Sequence, residues 1–260
     1  MTAATRHRWA GIHTPALYYI HTFDRMDRPA TGVLYRNTTD VITAGCRLIQ
    51  LRFKGAWSFE VAELLRLFIN DFDGSDTKFI MNDRVEWALE IGAHGVHVGE
   101  SSDTPPATAR QTLGKSALVG ATTKTPEQLA AAIAGDVDYV SYGALFPSST
   151  KPDAVAGSFE HLDTLPSQLP DDVKLCAIGG ISEARIPAIF QHKGVDLVAV
   201  GAAIQTASDP ELETLKIIDA IRLASGDTSP HPARLVGRAS SGSVEDDEDD
   251  EDDGETGDND

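Results

Sequence analysis

A (β/α)8 TIM barrel with a disordered acidic C-terminal tail is the α/β fold this sequence predicts, and three observations carry it. Eight short apolar runs recur along the chain, each too short for a stable helix and long enough for a buried strand. Helix-like segments lie between them. The length, 260 residues, suits one barrel of ordinary size. A doubly wound open sheet is the competing architecture. No GxGxxG follows the first run, which removes the dinucleotide-binding signature of that fold.

The strand runs are LYYI (17–20), RLIQL (47–51), KFIM (78–81), GVHV (95–98), ALVG (117–120), DYVSY (138–142), KLCAI (174–178) and LVAV (197–200). Five segments between and after them read as helices. SFEVAELLRLFIN (58–70) has apolar residues at three- and four-residue spacing behind Ser58, a good N-cap. DRVEWALEIG (83–92) ends on a glycine suited to a C-cap. TPEQLAAAIAG (125–135) opens with Thr and then Pro at the first helical position. SEARIPAIFQHKG (182–194) contains Pro187, which bends or delays its helix. DPELETLKIIDAIRLASG (209–226) completes the set. The chain divides into an N-terminal arm (1–14), the barrel (15–225), and a disordered linker and tail (226–260).

Charge is unevenly spread. The chain carries 40 Asp and Glu against 22 Lys and Arg, a net charge of −18. Residues 245–260, EDDEDDEDDGETGDND, hold twelve of the acids and no base; without them 28 acids face 22 bases, a net of −6. The tail repels itself and has nothing apolar to bury, so it is expected to solvate rather than fold. No basic patch points to nucleic acid. No apolar run approaches the roughly 20 residues of a membrane helix, and the first residues lack the apolar stretch of a secretory signal. Two cysteines, Cys46 and Cys176, exclude a disulfide scaffold and suit a reducing, cytoplasmic setting.

In such a barrel chemistry sits just after each strand. Period-two alternation puts Gln50, Arg52 and Lys54 on one face at the end of the second strand. An inward amide and two cations suit an anion, although Arg and Lys can also snorkel to solvent. After the third strand comes Asn82-Asp83, where Asp83 is either a helix cap or an oxygen ligand for Mg2+ beside a phosphate. His97 in the fourth strand lacks an HxH or HExxH partner and reads as a packed barrel histidine. Beyond it stand Glu100 and Asp103. The loop GALFPSSTKP (143–152) offers hydroxyls, amides and Lys151 to a phosphate. AIGG (177–180) and AVGAA (199–203) place glycines where barrels bind phosphate through backbone N–H groups.

Across residues 15–224 the chain resembles the thiamine-phosphate synthase family. The resemblance rests on QLRFK (50–54), FIMNDRVEWALEIGAHGVHVGE (79–100), DYVSYGALFPSSTKPDA (138–154), AIGGI (177–181) and VGAAI (200–204). It implies a TIM barrel and a transferase that joins hydroxymethylpyrimidine pyrophosphate to thiazole phosphate, with Mg2+, releasing pyrophosphate. It implies roles as well. Gln50, Arg52, Lys54 and Asn82 hold the pyrimidine diphosphate, and Thr122 touches the pyrimidine. Ser148, Thr150 and Lys151 join the phosphates of the two substrates. Gly179, Gly180, Gly201 and Ala202 take thiazole phosphate. Asp83 binds Mg2+, with Asp103 as second ligand and Glu100 as its rival. Arg52, Lys54 and Lys151 are the expected catalytic groups of a dissociative reaction. The expected partners are these small molecules alone, with a homo-oligomer left open. The chain departs from the family at three places: Asp103 stands one residue late, Lys124 replaces a usual His, and His21-Thr22-Phe23-Asp24 matches loosely. A thiazole tautomerase-like isomerase and a non-catalytic barrel that binds a thiamine precursor are the alternatives.

Overall fold

The computed structural model describes residues 8–147 and 158–227. Eight parallel strands close into one barrel in chain order. They are β1 (Ala16–Phe23), β2 (Leu48–Phe53), β3 (Lys78–Asn82), β4 (Gly95–Val98), β5 (Leu118–Thr122), β6 (Tyr139–Tyr142), β7 (Lys174–Ile178) and β8 (Leu197–Val200). Closure is made by β1 on β8, with Ala16 opposite Leu197. That pairing removes the open-sheet alternative.

The helices are α1 (Arg28–Thr43), α2 (Phe59–Asp71), α3 (Val85–Glu90), α4 (Pro106–Leu113), α5 (Pro126–Ala134), α6 (Phe159–Thr164), α7 (Ile186–Ile189), α8 (Ala202–Gln205) and α9 (Pro210–Ser225). The expected caps form. Ser58 accepts from Val61 N–H, and Thr125 and Gln128 make a capping box. Pro187 delays its helix: a 3-10 turn (Glu183–Arg185) comes first, and the proline sits in the first turn of α7. The segment 83–92 turns helical only at Val85, because Asp83 takes a left-handed conformation (φ 64°). Four helices, α1, α4, α6 and α8, were not expected. α6 and α8 are too short to show a period. α1 carries Pro29, Gly32 and four threonines, poor helix formers. It is held instead by the Asp27 cap on Ala30 N–H and by burial of Leu34, Asn37, Thr38 and Val41.

Alternation along the strands splits the core in two. Outward side chains such as Tyr19, Ile49, Leu51, Met81, Val140 and Leu175 pack under the helices. Inward ones, Tyr18, Leu48, Ile80, Leu118, Tyr139, Cys176, Leu197 and Ala199, fill the barrel. Trp9 and Ile12 join that inner set, so residues 8–12 of the expected N-terminal arm close the barrel floor. Arg8 donates to Lys115 O at 2.7 Å and pairs with buried Asp138 at 2.5 Å. Arg110 meets the other Asp138 oxygen at 2.6 Å, where Val119 N–H also donates at 2.8 Å. Burial pushes the Asp138 carboxyl up, and these donors oppose it.

Candidate active site at the carboxyl ends of the strands

The inward face of β2 runs Leu48, Gln50, Arg52, as alternation predicts; Ile49, Leu51 and Phe53 belong to the outer core. Gln50 is buried and donates from Nε2 to Tyr18 Oη at 2.8 Å. Arg52, one pleat nearer the mouth, is half-buried. Its Nη1 is shielded from solvent with no hydrogen-bond partner among the described residues. A guanidinium donor is rarely left so, since the unmade bond costs about 1–3 kcal/mol, more for a charged group. Lys54 stands just past β2 with an exposed side chain, its backbone N–H donating to Phe23 O at 2.8 Å.

Asp83 is not a helix cap. Its N–H donates to His97 O at 2.8 Å, tying the residue across to β4. Oδ1 accepts from Gly99 N–H and Oδ2 from Asn82 Nδ2, both at 2.6 Å. A Cβ at position 99 would stand 2.9 Å from Oδ1, so only glycine allows that approach. Two fixed donors orient the carboxylate and leave lone pairs on both oxygens. Its left-handed backbone costs about 1 kcal/mol or more, the kind of strain that collects at functional sites. The oxygen donor suits a hard cation such as Mg2+. Asp103 is exposed in the loop after β4. Glu100 is already engaged: Lys124 Nζ meets it at 2.5 Å. Among the described residues no group of three or more His, Cys, Asp or Glu is placed to hold a metal.

His97 is a packed barrel histidine, as its sequence context suggests. Nδ1 lies 3.1 Å from Tyr139 Oη, and Nε2 lies 3.0 Å from Thr122 Oγ1. Its ring stacks on Tyr139 with centroids 5.5 Å apart. Thr122 also approaches Ser141 Oγ at 3.3 Å. Tyr18, Tyr139 and Ser141 are site residues the sequence reading passed over. The signal was present in DYVSY, where Tyr139 and Ser141 stand two apart and so share a face, whereas in LYYI the adjacent Tyr18 and Tyr19 point to opposite faces.

Gly179 (φ 104°) and Gly180 (φ 64°) follow β7 in backbone that favours glycine. A Cβ on Gly179 would strike Ala144, and one on Gly180 the carbonyls of Phe146 and Pro147. Packing against the loop after β6 therefore explains both glycines without a ligand. Arg185 caps this loop, donating to Gly180 O and lying over the Phe146 ring at 5.0 Å. Gly201 and Ala202 open α8 at the end of β8. Ser148, Thr150 and Lys151 lie outside the described residues, as does the tail. Among the described residues the mouth thus combines a guanidinium with one unpaired buried donor, a pinned carboxylate and a hydrogen-bonded hydroxyl–imidazole pair. Such a set can bind and neutralise a leaving phosphate group, and it contains no activated nucleophile.

A family description, thiamine monophosphate synthase, matches residues 19–204. A thiamine-phosphate synthase of Thioalkalivibrio sulfidiphilus is 37% identical over 178 residues, 68% of this chain and 82% of that protein. One of Mycobacterium leprae is 32% identical over 223 residues, 81% of this chain and 92% of that protein. Among solved structures, a thiamine phosphate pyrophosphorylase from Pyrococcus furiosus is similar with a TM-score of 0.67 at 25% identity, over 80% of this chain and 96% of that one. A 3-hexulose-6-phosphate synthase from Salmonella typhimurium, at 15% identity and a TM-score of 0.58, shares the fold alone.

Proposed function

Because the chain belongs to the thiamine monophosphate synthase family, we propose how its barrel mouth performs the reaction of a thiamine-phosphate synthase. The protein is an enzyme, a transferase of that kind. In our reading it joins hydroxymethylpyrimidine pyrophosphate to thiazole phosphate. The bond from the pyrimidine methylene carbon to the pyrophosphate oxygen breaks first, and its electrons leave with the oxygen. The thiazole nitrogen then gives its lone pair to the resulting cation. Thiamine phosphate and pyrophosphate are the products.

The observation that carries this reading is the buried Nη1 of Arg52, which has no hydrogen-bond partner among the described residues. A leaving pyrophosphate supplies the oxygen that this donor lacks. Lys54, and Lys151 from the loop after β6, add charge. Cations held where negative charge develops stabilise it with little reorganisation. Thr122 meets the pyrimidine, with Asn82 and Gln50 bordering its diphosphate. Ser148 and Thr150 hold the phosphates together, and backbone groups of Gly179, Gly180, Gly201 and Ala202 take thiazole phosphate. Excluding water protects the cation from hydrolysis.

Asp83 and Asp103 would hold Mg2+, which when bound supplies positive charge beside the pyrophosphate. Asp83 fits that task because Gly99 and Asn82 pin it. The ion pair of Glu100 with Lys124 favours Asp103 as the second ligand. We place the reaction in the cytoplasm: Cys46 and Cys176 are free and buried, and no helix of the described residues is long and apolar enough to cross a membrane.

The test is formation of thiamine phosphate and pyrophosphate from both substrates during a Mg2+ titration. Asp83→Ala should abolish Mg2+-dependent turnover, and Asp103→Ala should raise the half-maximal Mg2+ concentration. A titration altered by Glu100→Ala and not by Asp103→Ala assigns the second ligand to Glu100. A wild-type protein that isomerises the thiazole, or binds a precursor without joining it, would overturn the reading.

A further inference from the structure

A buried hydrogen-bond chain crosses the barrel interior from β2 to β5. It runs from Gln50 Nε2 to Tyr18 Oη (2.8 Å), to Tyr139 Oη (2.8 Å), to His97 Nδ1 (3.1 Å). From His97 Nε2 it continues to Thr122 Oγ1 (3.0 Å), with Ser141 Oγ 3.3 Å from Thr122 and 3.5 Å from Nε2. Gln50, Tyr18, Tyr139, His97 and Ser141 are all buried; Thr122, half-buried at the end of β5, is the member nearest the mouth. Gly120 leaves the space that the Tyr139 ring fills, for a Cβ there would collide with that ring. The chain is thus built into the packing.

Its direction follows from donor chemistry. An amide nitrogen can only donate. Gln50 therefore donates to the Tyr18 oxygen and can take no proton from it; because a buried phenol proton without an acceptor is costly, Tyr18 gives its proton to Tyr139. Tyr139 in turn gives its proton to His97 Nδ1, which must be unprotonated. The imidazole proton then sits on Nε2 and points at Thr122 Oγ1. With its oxygen engaged as acceptor, Thr122 has its own proton to give. Burial pushes both phenols above the usual tyrosine range, which keeps them donors.

We propose that Tyr18 and Tyr139 are positioning residues for the pyrimidine site: with Gln50 they hold His97 as the neutral Nε2–H tautomer, so that Thr122 presents its hydroxyl proton to a ring nitrogen of the aminopyrimidine. The substrate half of this inference rests on the synthase reading; the tautomer half does not. Selectivity follows from the same arrangement. A ring presenting an N–H at that position meets a donor facing a donor, and a site built for one hydrogen bond rejects the partner that lacks it.

The tautomer is read directly from long-range 1H–15N correlation spectra of the ligand-free protein at neutral pH, with the His97 signals assigned by their loss in His97→Gln. Nδ1 should appear unprotonated and Nε2 protonated, as a single species. Tyr139→Phe should leave a mixture of both tautomers. In kinetics, Thr122→Val should raise KM for the pyrimidine substrate about tenfold and leave KM for thiazole phosphate within twofold; Thr122→Ser should restore it. Adding Tyr139→Phe to Thr122→Val should then change that KM less than twofold further. Protonation at Nδ1, or a wild-type His97 that already exchanges tautomers, overturns the chain, and neither result depends on Tyr139→Phe folding. An unchanged pyrimidine KM in Thr122→Val overturns the substrate half. A protein with the expected tautomer that forms no thiamine phosphate leaves the chain standing and refutes the synthase reading instead.

Discussion

Arg52 and Lys124 are both cations at the mouth, yet the structure gives them opposite expectations. Arg52 has a buried donor with no partner among the described residues, whereas Lys124 is an exposed residue already paired with Glu100. A charge-assisted contact to phosphate is worth about 1.5–3 kcal/mol. Arg52→Ala should therefore lower kcat/KM for the pyrimidine diphosphate by about 10- to 100-fold, and Lys124→Ala by much less. A larger loss in Lys124→Ala would move the catalytic group to the loop after β5. Gly99→Ala probes the neighbouring carboxylate. Its Cβ would press on Asp83 Oδ1, so it should weaken the response to Mg2+ while shifting the melting temperature little. Turnover assays and thermal melts check both outcomes. Residue identity exposed the cations and carboxylates of this site readily. It did not expose that Gly179 and Gly180 are needed for packing, because a close backbone approach and an anion cradle call for the same residue.

At the level of the strand, β1 shows how a polar residue hid structure. The apolar run stops at Ile20, but the strand continues through Phe23. His21 lies in the outer core, with Nδ1 2.8 Å from Tyr19 Oη. Burial lowers its pKa to about 4, against about 6.5 for the ordinary imidazole. The folded protein thus resists a proton that the unfolded chain accepts, so this contribution is complete above pH 6.5 and is lost as pH falls toward 4. The arithmetic gives about 2 kcal/mol lost between pH 7.5 and 5. His21→Gln should flatten that part of the pH dependence, measured by urea unfolding at the two pH values. An equal slope in both proteins would show that His21 titrates freely. Short apolar runs located every strand, since a barrel strand is buried on both faces. Apolar patterning missed α1, whose poor helix formers are held by contacts made only after the barrel exists, and it truncated β1, whose buried histidine reads as polar.

For the whole molecule, the barrel is complete before the linker begins: α9 ends at Gly226, whose left-handed backbone stops the helix, and β8 already meets β1. Removing residues 228–260 should leave activity and melting temperature nearly unchanged; a folding defect would show that the acidic tail supports the barrel. The floor behaves differently. Asp138→Ala would strand the guanidiniums of Arg8 and Arg110 in a buried place, a change that costs about 3–5 kcal/mol in unfolding experiments. That floor also bears on the order of assembly. Arg8 and Trp9 leave the ribosome well before what they bind, Lys115 O, Asp138 and Tyr139. The first strand waits longer still, for Leu197. Contacts so distant in sequence must be won against the entropy of closing long loops, which slows folding. Residues of the floor that are synthesised before their partners are therefore among the last to find their places, and until then an unpaired β1 edge stays open to a neighbouring nascent chain.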